Sequence, residues 1–138
     1  MVSEVQWTMI PEAAIICLAL NGYMEARSEP PDAELAVAMV VLNRAKRNPW
    51  TVCNTVFTPY QFSWTILPPA VNDRPAFDRS KQIAAEAFST ADFTGGSTHY
   101  HTVQRPPALH KEAQWPPRWT RSMVKTGTWG KHVFYRSK

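Results

Sequence analysis

Cysteine and glycine are scarce in this chain, with two and five copies in 138 residues, and long apolar runs and blocks of Lys and Arg do not occur. The apolar run "AAIICLAL" has eight residues, far short of the ~20 that a membrane-spanning helix needs. The N-terminal "MVSEVQW" carries an acid and no basic residue, so it lacks the pattern of an ordinary signal peptide. The expectation is a soluble chain made in the cytoplasm, with no stable membrane insertion, that reaches its place of action by some external route. Cys17 and Cys53 are too far apart for a CxxC metal or redox motif. They are expected as two buried thiols, and whether they meet is open. Charged residues make up 19%, below the usual figure of about 25%.

What the chain has instead is aromatic and proline content, with six Trp and twelve Pro. Trp gives flat stacking surfaces as well as core volume, and Pro stiffens irregular loops. A net charge of +4 favours anionic partners, among them nucleic acid, anionic lipid and carboxylate-bearing wall polymers, and does not choose among them. The densest basic stretch, "RAKR" at Arg44 to Arg47, reads as the solvated end of a helix, so nucleic acid is not an expected partner. A length of 138 residues suits a single domain with a real core.

Apolar spacing predicts a helix from Pro11 to about Arg27, on a stripe of Ile10, Ala13, Ala14, Cys17, Leu20 and Met24. "SEPPD" breaks it, and Asp32 is placed to N-cap a second helix through about Lys46. The core of that helix, "LAVAMVVL", is apolar on every side and should be central. A short helix is expected over Thr51 to Phe57, and Asp73 with Pro75 should open another that runs to about Thr90 and is ended by "TGG". "STHYHTV" and "HVFYR" are β-prone and should pair in a small sheet. Between them, "QRPPALHKEAQWPPRW" reads as a long ordered loop.

Glu25 stands out among the chemically capable residues. It lies near the C-terminal end of the first helix, beside Tyr23 and Met24. Both the helix dipole and apolar neighbours disfavour its charge there, which raises its pKa toward that of a general acid. Local physics alone favours a surface glutamate at a helix end, paired with Arg27, over a catalytic one. His99 and His101 share one face if "THYHT" is a strand. With His110 or Glu112 they would make a zinc site and a metal-dependent amidase, although HxH alone is a weak signal.

The ordered stretches "NGYMEARSEP", "AVAMVVLNR", "NTVFTPYQFSW", "TGGSTHYHT" and "GKHVFYR", spread from Ala14 to Arg136, resemble the SleB-type cell wall hydrolases, a family of spore cortex-lytic enzymes and phage endolysins. The resemblance implies a mainly α (α+β), lysozyme-like single domain with a small β hairpin or sheet, covering 1–138. It also implies cleavage of peptidoglycan between N-acetylmuramic acid and N-acetylglucosamine, with the essential acid on Glu25 of "EAR". Ser28 and "PPDAE" depart from the family pattern, and so does "WTILPPAVNDRP".

One acid suffices for lytic transglycosylation, in which the sugar supplies its own nucleophile. A hydrolase needs a second carboxylate, for which Glu29, Glu34 and Asp73 are candidates. Tyr23, Gln61, Phe62, Ser63, Trp64, His99, Tyr100 and His101 are the expected substrate contacts. Neither a metal nor another cofactor is required, and a monomer acting on the glycan strand is expected. The setting implied is a phage endolysin that reaches the wall, in the periplasm, after membrane disruption.

Overall fold

In the computed structural model, residues 10–58 and 71–138 are described. Among them are four α-helices: α1 (Glu12–Ala26), α2 (Pro31–Arg44), α3 (Val52–Phe57) and α4 (Arg74–Ala87). Three strands follow, β1 (His99–Thr102), β2 (Met123–Trp129) and β3 (His132–Ser137), antiparallel in the order β1-β3-β2. None of these helices is long and apolar enough to cross a membrane. The mainly α class with a small antiparallel sheet is the one expected, and β2 is the element that sequence patterning missed. Its "MVKTGTW" has no clean alternation and carries a register irregularity between Lys125 and Gly127.

The middle position of α2 explains its uniform apolarity. Met39, Val41 and Leu42 pack with Leu18, Tyr23, Val56 and Phe77 in the helical core. Ala36, Val37 and Val40 face the other way, onto Phe134 of the sheet. One helix thus serves two cores.

Local chemistry sets the ends of the helices. α2 begins at Pro31, whose missing N–H is no loss in a first turn. Asp32 therefore sits inside the helix, where its charge suits the N-terminal dipole, and does not cap it as expected. Asp73 does cap α4, its carboxylate accepting from the Ala76 N–H at 3.0 Å. That helix stops at Ala87, short of Thr90, and "TGG" builds a later turn in which the Asp92 carboxylate accepts from the N–H groups of Thr94 and Gly96, both at 2.8 Å.

"RAKR" is not simply a solvated end. Arg44 Nε donates to Thr98 O at 2.6 Å, tying α2 to the start of β1. The Arg47 guanidinium donates to Ala87 O and Thr90 O at the end of α4. Ala13, expected on the apolar stripe of α1, is exposed, and the buried positions are Ala14, Leu18, Ala19, Asn21, Gly22, Tyr23 and Ala26.

The expectation of two buried thiols is corrected, and the open question of whether they meet is answered: Cys17 of α1 and Cys53 of α3 form a disulfide across a separation of 36 residues. Periodicity could not reveal it, because the bond depends on how α3 docks on α1. A loop of that length restricts the unfolded chain, and its loss is expected to lower stability by about 2–4 kcal/mol. Urea unfolding of the Cys17→Ala, Cys53→Ala double variant should show that drop, and an unchanged midpoint would contradict it.

Candidate active site

Glu25 lies in the last turn of α1, where the chain leaves the helix toward the two prolines. It is mostly enclosed yet keeps some contact with solvent, as a group that must meet a substrate requires. Burial pushes its carboxyl up to about 7. The Tyr100 hydroxyl opposes this by hydrogen bonding the carboxylate, the Glu29 charge adds to it, and the Arg44 charge opposes it. Glu25 forms no ion pair with Arg27, which instead donates to Tyr23 O and stacks over the Tyr23 ring at 4.6 Å.

Tyr100 reaches Glu25 because it faces the helices from β1, paired with Phe134 of β3. Burial drives its hydroxyl far above the ordinary phenol value, and the Glu25 charge adds to that. It therefore remains a donor at any working pH. Asn21, one turn before Glu25 on α1, also hydrogen bonds it, and His132 meets its ring edge-on at 5.1 Å.

Glu29 is close enough to be felt by Glu25, but its carboxylate is in use. Oε1 accepts from the Lys131 N–H at 2.6 Å, and His132 Nδ1 lies 3.1 Å from both oxygens. Both side chains are only 4% exposed. The turn carrying them has no room to spare: a Cβ on Gly130, whose φ is 56°, would lie 2.5 Å from Glu29 Oε1 and 2.7 Å from Ala33 Cβ. This contact locks the α1–α2 corner to the β2–β3 hairpin and so fixes the sheet that holds Tyr100.

The other candidate carboxylates have duties too. Glu34 is buried in α2, its pKa raised chiefly by burial and held back in part by the nearby Ser80 hydroxyl. Gly22 allows the close passage of α1, since a Cβ there would come within 2.8 Å of Glu34 Oε2. Asp73 is the α4 cap.

The expected substrate contacts separate in space. Tyr23 is 1% exposed, its hydroxyl accepting from the N–H groups of Asn72 and Asp73 at 3.1 and 3.0 Å, so the structure places it in the helical core. His99 and His101 lie on the face of β1 opposite Tyr100. There His101 packs on Trp115, Trp119 and Tyr135, and His99 packs on Trp119. His101 Nε2 pairs with Tyr135 Oη at 2.9 Å and Nδ1 with Thr102 O at 2.7 Å, so both nitrogens are occupied. Burial, and then the Arg44 charge, lowers the His99 pKa. Among the described residues no three His, Cys, Asp or Glu side chains cluster as metal ligands. Gln61, Phe62, Ser63 and Trp64 lie outside the described residues.

Asn21, Arg44 and His132 were not foreseen, although each lies in a quoted stretch: "NGYMEARSEP", "AVAMVVLNR" or "GKHVFYR". Those stretches meet around Glu25, and residues 28–135 match the family model for Cell Wall Hydrolase. The chain belongs to the cell wall hydrolase family. Its relatives include a spore cortex-lytic enzyme of Oceanobacillus iheyensis, 30% identical over 118 residues, covering 81% of this chain but 37% of that protein. Among solved structures it is similar to the catalytic domain of the germination-specific lytic transglycosylase SleB from Bacillus anthracis (TM-score 0.63, 25% identity, 89% of this chain and 93% of that one). The catalytic domain of the Bacillus cereus SleB protein is also similar (TM-score 0.61, 26% identity, 90% and 91% covered). The cell wall hydrolase fold of this chain is thus that of a known catalytic domain, and the chain is an enzyme of that family.

A carboxyl raised to about 7 makes stability depend on pH. Below pH 4.5, the ordinary glutamate value, it is protonated in folded and unfolded chains alike. Between 4.5 and about 7 only the unfolded chain releases the proton, so folding stability falls as pH rises through this window. Glu25→Gln removes that titration. The variant is expected to gain on wild type by about 3 kcal/mol between pH 4 and pH 8, read from urea midpoints at both values, and a constant difference would contradict the buried state of Glu25.

Proposed function

We propose that this cell wall hydrolase cuts the glycan strand of peptidoglycan between N-acetylmuramic acid and N-acetylglucosamine as a lytic transglycosylase, with Glu25 as its one acid and base. The protonated Glu25 carboxyl gives its proton to the glycosidic oxygen as the bond to muramic C1 breaks. The carboxylate, with the Tyr100 hydroxyl as donor, then takes the proton of the muramic C6 hydroxyl while that oxygen bonds to C1. A 1,6-anhydro ring results, no water is consumed, and Glu25 returns protonated. A group that must give and then take a proton near neutrality works best with a pKa near the working pH.

The observation that carries this reading is the pKa of Glu25, about 7, in a setting where the other candidate carboxylates are engaged. Hydrolysis would need a second carboxylate about 5 Å away for retention or roughly 6.5–9.5 Å away for inversion. Glu29 is held by the hairpin turn, Glu34 is packed against Gly22 and Ser80, and Asp73 caps a helix. The stretch 59–70 contains no acid at all. The B. anthracis relative, described as a lytic transglycosylase, supports the same assignment.

The proposed setting is that of an endolysin, which meets the wall beyond a disrupted membrane. Its Cys17–Cys53 disulfide suits an oxidising compartment better than a reducing cytosol.

Products separate the mechanisms. Mass spectrometry of fragments released from purified peptidoglycan should show muropeptides ending in 1,6-anhydro-muramic acid, one water lighter than hydrolysed ends. Reducing muramic acid ends would overturn transglycosylation, and free stem peptides with intact glycan would overturn glycan cleavage. Glu25→Gln should lower turnover by about a hundred- to ten-thousand-fold while near-UV circular dichroism stays native. Retention of a tenth of the activity would remove Glu25 from its role.

A further inference from the structure

At the open end of β1, where the sheet meets the long loop, lies a pocket of about 690 Å³ lined by Thr102, Val103, Gln104, Arg105, Pro106, Pro107, Gly130 and Lys131. Its size is that of an ordinary ligand site, and its two charged side chains are both cations. Backbone pairing holds it in place, since the Val103 N–H donates to Lys131 O at 2.7 Å. The Trp115 indole N–H closes on Val103 O at 3.4 Å. Glu29 packs against the Gly130 turn beside this pocket, and its carboxylate is already engaged by His132 and the Lys131 N–H.

Arg105 is the unusual member. Its Nη2 donates to His110 O, which holds the guanidinium against the loop. Its Nη1 is buried and has no acceptor, and no carboxylate pairs with it among the described residues. A guanidinium has five donors in a planar fork that matches a carboxylate. Leaving one of them buried and unmade is costly, and such a group calls for an explanation. Lys131 adds a second, exposed positive charge on the same pocket.

The pocket adjoins the proposed chemistry without being part of it. Thr102 is two residues beyond Tyr100, about 7 Å along an extended strand, and pairs with His132, which packs on Tyr100. If the glycan strand lies against Glu25, the peptide carried by a muramic acid must lie to one side of it. That peptide bears several carboxylates.

Resting on the transglycosylase reading, we propose that Arg105 and Lys131 form a subsite for a carboxylate of the stem peptide attached to the glycan, so that the enzyme prefers peptide-bearing strands to bare ones. A carboxylate entering the pocket accepts from the guanidinium, with a small rotation bringing Nη1 into reach. The lysine ammonium closes on the same group from the rim. Val103, Pro106 and Pro107 give the aliphatic part of the peptide an apolar wall.

Titration of the full chain with the free peptide L-alanyl-γ-D-glutamyl-meso-diaminopimelic acid, followed by 15N NMR, tests the pocket without requiring activity. Saturable shifts at 103–107 and 130–131 are expected, together with a loss of affinity of about tenfold in Arg105→Met and severalfold in Lys131→Met, and partial recovery in Arg105→Lys. Should Arg105→Met disturb the loop, Lys131→Met still decides, because that side chain is exposed. In parallel, the ratio of kcat/KM for peptide-bearing over amidase-stripped glycan should exceed one in wild type and fall toward one in both Met variants.

Absence of saturable shifts, equal shifts from inorganic phosphate, or a ratio unchanged by the variants would overturn the subsite. Peptide binding by a chain that leaves glycan uncut would retain the subsite and remove the transglycosylase reading. Anhydro products from a chain that binds no peptide would do the reverse.

Discussion

A carboxyl group held out of water at the end of a helix must be kept neutral by its surroundings, and the rest of this structure serves that constraint. Glu25 has little water around it, a buried hydroxyl from Tyr100 on one side, and the charges of Glu29 and Arg44 acting on it in opposite senses. Desolvation alone would raise a carboxyl further and hold its proton too tightly for exchange. The hydrogen bond and the Arg44 cation bring it back to about 7, where protonated and ionised forms are both populated near neutral pH.

That balance demands a rigid seam between helices and sheet, because a hydrogen bond from Tyr100 works only if β1 is held at a fixed height above α1. Three ties hold it. α2 buries Ala36, Val37 and Val40 against Phe134 while its other side packs the helical core. Arg44 reaches from α2 to Thr98 O at the head of β1. Glu29 takes the Lys131 N–H and His132 across a separation of about a hundred residues. Leaving a buried hydrogen-bonding group without its partner costs about 1–3 kcal/mol, and here the loss would also release the hairpin that orients Tyr100. Glu29, Glu34 and Asp73 each make contacts that hold the fold together.

Much of this was legible in the residues. The apolar run of α2 announced a helix buried on all sides, Asp73 announced a cap, and Glu25 between aromatic and apolar neighbours announced a strained ionisation. The misses have common causes. β2 carries Lys125, Gly127 and a register irregularity in place of clean alternation, so period gave no signal. Cys17 and Cys53 are joined by tertiary docking, which spacing does not encode. Tyr23 and Tyr100 were both expected as substrate contacts, yet one hydroxyl accepts from the α4 entry while the other meets Glu25. Glu29 looked like a possible second catalyst until the hairpin, far along the chain, was seen to claim both of its oxygens.

The central claim is that one enclosed carboxyl, poised near neutrality, does the work of both acid and base. Its most direct test is the side-chain carboxyl titration of Glu25, followed by 13C NMR on glutamate-labelled protein and assigned by comparison with Glu25→Gln. A midpoint near 7 is predicted, and it should move upward in Tyr100→Phe as the stabilising hydrogen bond to the carboxylate is lost. A midpoint at the ordinary value of 4.5, unmoved by Tyr100→Phe, would contradict the account.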